Sequence, residues 1–154
     1  MLESNTQGTA SLIGFNEIRT RSIEGWEDFL HEGEAYLKTA GGAQAKGRQA
    51  FTPEILYNII AMAIEKFVMA ALMKYGALPY NHTMGDLVEA MEETFPGALG
   101  EIKDKLLALD RYQEICDVDA FMIRPPKSEE ISGMLEIAAQ LQTLTHTLIQ
   151  EKSL

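Results

Sequence analysis

Apolar residues recur at three- and four-residue spacing through most of this chain and nowhere alternate with polar ones over a strand's length, so the pattern predicts helices and no sheet. On the first helix, Trp26, Phe29, Leu30, Gly33, Tyr36, Leu37 and Ala40 share a face, with Ser22 as N-cap and Glu24 in the first turn. Gly41-Gly42 predicts its end, and 41–50 reads as a small, polar loop able to order around a ligand. The second helix has the strongest start signal: Thr52 as N-cap, Pro53 where its missing N–H costs nothing, and Glu54 against the positive helix end. It should run to Tyr75, about 36 Å, with Gly76 as left-handed terminator. Ile55, Leu56, Ile59, Ile60, Ala63, Ile64, Phe67 and Val68 cover more than one face of it, so other helices must surround it.

A third helix is expected from Asn81 or Thr83, where Thr83 and Asp86 have capping-box spacing, burying Met84, Leu87, Val88 and Met91. Phe95-Pro96-Gly97 resets the direction. A fourth segment carries Leu99, Ile102, Leu106 and Leu109 inward, and its pattern fades after Tyr112. The stretch from Gln113 to Lys127 is irregular, and Ser128 is expected to cap a last helix with Ile131, Leu135, Ala138, Leu141, Leu148 and Ile149 on its inner face. The expectation is an all-α, up-and-down four-helix bundle with an additional short helix over residues 22–154, preceded by a polar arm at 1–21.

Composition narrows the class. At 154 residues, 46% hydrophobic and 23% charged, the chain is in the range of a single globular domain that folds without disulfides, and its lone Cys116 offers no internal bridge. The opening residues lack a secretory signal, which points to the cytoplasm. Asn58, Glu65 and Lys66 interrupt the apolar run from Ile55 to Met73, so a buried central helix is expected there and no membrane association. The net charge of −10 disfavours direct nucleic-acid binding, whose affinity comes from clustered lysine and arginine.

Few polar residues suggest chemistry. His82 stands at a helix start, and it reads first as a lock on the turn from Pro79 to Thr83 and second as a ligand or partner contact. Glu65, inside an apolar segment, needs a partner from another helix, and Arg111 is the candidate; Glu65, Asn81 and Thr83 are read as structural. Arg111, Tyr112 and Arg124 flank the irregular stretch and could receive a phosphate or nucleotide, against the plainer reading of surface arginines at a chain reversal. No histidine has a glutamate three residues before it, so the paired motif of di-iron bundles is missing, and no metal, cofactor or catalytic residue is assigned.

The residues Ala63-Ile64-Glu65-Lys66, Ala70-Ala71-Leu72, Gly76, Pro79, His82 and Asp86-Leu87, with Arg111-Tyr112 farther on, resemble the HEPN family over roughly residues 22–150. The resemblance implies a bundle that commonly dimerises and pairs with a minimal nucleotidyltransferase, often in a toxin–antitoxin-like arrangement. Active members are ribonucleases with an arginine four to six residues before a histidine. No arginine stands at that spacing before His31, His82 or His146, and Gln113 replaces the proline that often follows Arg-Tyr. What the resemblance implies is therefore a non-catalytic interaction or nucleotide-responsive module that acts as a homodimer. The alternative is a nucleotide-binding accessory or degenerate enzyme using the region from Arg111 to Arg124.

Overall fold

Among the described residues five α-helices form the bundle: α1 (Trp26–Ala45), α2 (Pro53–Lys74), α3 (Met84–Thr94), α4 (Ile102–Leu107) and α5 (Ser128–Glu151), with a 3-10 turn (Ala108–Tyr112) fused to the end of α4. This computed structural model describes residues 21–47, 49–112 and 125–151, and no strand occurs among them. The arm at 1–20, Cys116 and Arg124 lie outside the described residues.

Both ends of α2 follow from local sequence. Thr52 Oγ1 accepts from the Ile55 N–H at 3.3 Å, and Pro53 occupies the first turn. At the other end Gly76 takes φ 76°; its N–H reaches the Met73 carbonyl at 3.0 Å while the Ala77 N–H reaches Leu72 at 2.9 Å. This is a complete Schellman motif. The chain just before α1 finishes the job: the Ile23 N–H donates to Met73 O and Ser22 Oγ donates to Lys74 O, each at 2.7 Å. Ser22 thus caps the end of α2. It does not cap α1, which opens on Gly25 in the left-handed region at φ 92°.

The predicted end of α1 at Gly41-Gly42 is also corrected, since the helix runs on to Ala45. Ala40 and Ala43 are buried there, and Gln44 Nε2 donates to the Ser128 carbonyl at 3.2 Å. Packing and this tether outweigh a penalty of about 1 kcal/mol for each helical glycine. Ser128 is likewise shifted by one place: it is the first helical residue of α5, and the Lys127 carbonyl accepts from Ile131 N–H.

Side-chain pairs set the helix directions. Trp26 lies against Lys74, and Gly33 against Phe67, so α1 and α2 are antiparallel. Thr145 Oγ1 donates to the Phe67 carbonyl and Tyr75 OH to the Leu148 carbonyl, so α5 runs with α2. The expected alternation fails at α3. His82, just before α3, reaches back to Glu65, while Phe95, just after it, packs edge-on against Tyr75 at 4.8 Å. Helix α3 therefore runs in the same general direction as α2, and the eight residues from Gly76 to Thr83, with a reach of up to about 26 Å, are long enough to double back. The piece that returns antiparallel is α4 with its 3-10 turn, which brings Leu109 to Tyr57 and Asp110 to Met84.

The core is centred on α2, where Ile60, Ala63, Ile64, Phe67, Val68, Ala70, Ala71 and Leu72 are sealed from solvent by Met84, Leu87, Met91, Leu106, Ile131 and Leu141. Met69, Met73, Met84, Met91 and Met134 are buried, which is the gap-filling use of methionine. One helix, Pro53–Lys74, is long and apolar enough to cross a membrane, and 61% of its most apolar window is buried inside the bundle.

Candidate functional site

The sequence-selected residues fall into two groups, one at each side of α3's first turn. In the first, Thr83 is the N-cap of α3: its Oγ1 accepts from the Asp86 N–H at 3.1 Å and donates to Asp86 Oδ2 at 2.5 Å. His82 Nδ1 stands 2.7 Å from Glu65 Oε1, tying the returning connector to α2. Glu65 is thus held by His82, and the expected pairing of Glu65 with Arg111 is corrected. The doubling back of the connector, invisible in the spacing, puts the imidazole where the guanidinium was expected. Asn81 is exposed beside them.

In the second group, Arg111 Nη2 donates to Tyr112 OH at 2.9 Å, and Tyr112 OH donates to Glu130 on α5. The guanidinium also approaches Glu130 Oε2 at 3.7 Å. The Tyr112 ring is buried, tilted against Tyr57 with centroids 5.2 Å apart, and Tyr57 OH donates to the Leu109 carbonyl at 3.1 Å. Arg111 is 66% exposed and lies across the Tyr112 ring. Beside this cluster, between the 3-10 turn and α5, is a cleft of about 310 Å³ lined by Lys105, Arg111, Tyr112, Glu130, Glu136 and the apolar Met134 and Ile137. Two carboxylates share the cleft with its two cations, and Glu130 already engages the arginine, so a phosphate entering here would compete with an internal anion.

Between the groups lies a residue that spacing could not select. Asp110 accepts from the Met84 N–H through Oδ1 at 2.9 Å and from the Gly85 N–H through Oδ2 at 3.0 Å. With Thr83 Oγ1 taking the Asp86 N–H, the N–H groups of the first three helical residues of α3 are all satisfied, and the Leu87 N–H opens the intrahelical ladder on the Thr83 carbonyl. The anion that the helix dipole favours at this end is therefore the protein's own. His82 and Arg111 share no partner: the imidazole is on Glu65 and the guanidinium on Tyr112 and Glu130, while Asp110, beside Arg111 on the 3-10 turn, reaches the start of α3. Asp110, Tyr57 and Glu130 were missed because their partners come from other helices. The acidic first turn of α5 was the one available signal for Glu130.

Burial raises the Tyr112 phenol above its ordinary value of 10.0, and the hydrogen bond to Glu130 acts the same way, with Arg111 opposing. The fold thus favours the neutral phenol. Its contribution is complete below pH 10.0 and is lost as pH rises through the higher folded value. Tyr112→Phe is expected to remove this sensitivity, so the stability gap between the native protein and the variant should shrink above pH 10.0 in urea melts. A gap that stays constant across that range would contradict the assignment.

Among the described residues no group of three or more His, Cys, Asp or Glu could hold a metal ion. Compared with known proteins, the chain matches no family model, no curated sequence and no solved structure.

Proposed function

We propose that this chain is a non-catalytic protein-interaction module of the cytoplasm, a HEPN-like bundle that works as a homodimer and engages a further protein, for which the resemblance implies a minimal nucleotidyltransferase. The observation that supports an interaction role is the connector between α2 and α3. It displays Tyr80 at 92% and Leu78 at 59% exposure, the two most exposed large apolar side chains among the described residues. Burying them gains nothing in the isolated chain and would stabilise a complex, since apolar area taken from water contributes roughly 25 cal/mol per Å².

The second reading is nucleotide binding at the Arg111 cleft, favoured by the exposed guanidinium and the adjacent Tyr112 ring. Thermal melting with nucleoside mono-, di- and triphosphates separates the two. An interaction module should melt at the same temperature in all of them, whereas a ligand at 100 times its Kd would add about 2.7 kcal/mol of stability. Light scattering of the same samples should give twice the 17.1 kDa chain mass. A shift with one nucleotide class would transfer the assignment to Arg111.

A further inference from the structure

The connector that doubles back along α2 forms one wall of a groove, and α3 forms the other. Leu78, Pro79 and Tyr80 supply an apolar wall; Asp86, Glu89 and Glu93 face it across a concavity of about 640 Å³. The three acids recur at helical spacing, so they share one face of α3. Asp86 is engaged by Thr83, but among the described residues neither Glu89 nor Glu93 has an ion pair. Glu92, one residue before Glu93, meets Lys103 at 3.9 Å.

Glu89 and Glu93 are an i, i+4 pair of like charge, which opposes the helix, and Glu93 lies in a last turn that contains no basic residue, where the dipole's negative end disfavours it further. Among the described residues no ion pair reaches Glu89 or Glu93. A cation from outside would offset both. Tyr80 adds an open ring face suited to a guanidinium, and Leu78 adds apolar surface for a neighbouring side chain.

We propose that this groove is the docking site for a basic segment of a partner protein, with an arginine or lysine between Tyr80 and Glu89/Glu93 and an adjacent apolar residue against Leu78. This names the partner chemistry of the interaction role above and rests on it. A second copy of this chain is a poor occupant, since a net charge of −10 opposes its approach to an acidic face.

The test is fluorescence anisotropy with a short labelled peptide of alternating arginine and leucine at about 0.15 M salt. The unaltered protein should bind it, and E89K with E93K should weaken binding about tenfold. Glu101→Lys with Glu151→Lys changes the net charge equally on exposed positions that do not line the groove and should change affinity by less than about twofold. Tyr80→Ala, at a side chain with almost no burial to lose, should weaken binding about threefold. Equal losses in the two double variants would reduce the interaction to net charge and overturn the site. So would an inert peptide, or self-association abolished by E89K with E93K. An inert peptide without any nucleotide-dependent melting shift removes this occupant alone; an inert peptide together with such a shift removes the interaction role as well.

Discussion

Gly33→Ala should destabilise the bundle by about 1–2 kcal/mol, although alanine is the better helix former by about 1 kcal/mol. Gly33 lies in the middle of α1, where a Cβ would stand 2.9 Å from both Cδ1 and Cε1 of Phe67 and 3.2 Å from Lys66 Cβ. The far end of a flexible side chain could yield at such distances. The Phe67 ring cannot do so cheaply, because it is completely buried at the centre of the core. Lys66 is also held, by Glu32 at 2.6 Å and by the Phe29 ring beneath its ammonium. Urea denaturation of the purified variant measures the loss. A double-mutant cycle gives the cause: in a Phe67→Leu background, itself weakened by lost packing, the added methyl should cost less, with a coupling energy of about 0.5–3 kcal/mol. Additive effects of the two substitutions would show that the α1–α2 approach is not limited by this ring.

The second large effect is expected at Asp110. Asp110→Ala strips the acceptors from the Met84 and Gly85 N–H groups and removes a negative charge from the positive end of α3, for a loss of about 2–3 kcal/mol. Asp110→Asn keeps one side-chain oxygen and should lose about half as much. Thr83→Ala removes only the contact to Asp86 and should cost about 1 kcal/mol, the ordinary value of an N-cap. Amide hydrogen exchange distinguishes a local from a global origin. The Met84 and Gly85 amides should exchange faster in Asp110→Ala by more than the overall loss of stability explains. Retained protection of both would mean that another group takes over the cap.

These two positions also explain why the candidate site is less legible than the helices. The Arg111-Tyr112 step stood out in the sequence, but its chemistry is set by Glu130, eighteen residues farther on in Tyr112's hydrogen bond, and by the ring of Tyr57 on α2. With Glu130 in place, the arginine is a partly neutralised clamp between the 3-10 turn and α5. His82 gains its partner in the same indirect way. Its imidazole meets Glu65 because α3 runs with α2, a choice made by the packing of Phe95 on Tyr75 and by the anchoring of Met84 on Asp110.

What the sequence determined by itself are the features that depend on neighbours within about one helical turn: the helical class, the Thr52-Pro53 start and Gly76 stop of α2, the Thr83 cap, and the inward positions at three- and four-residue spacing. A cap or a helix terminator acts through bonds to residues two to five places away, so it is present in the local string. Tertiary structure alone decided the direction of α3, the extension of α1 beyond Gly41-Gly42, the Asp110 cap, and the division of carboxylates between His82 and Arg111. Each of these rests on contacts between residues far apart in the chain, where buried area and satisfied backbone donors outweigh local preferences of about 1 kcal/mol per residue.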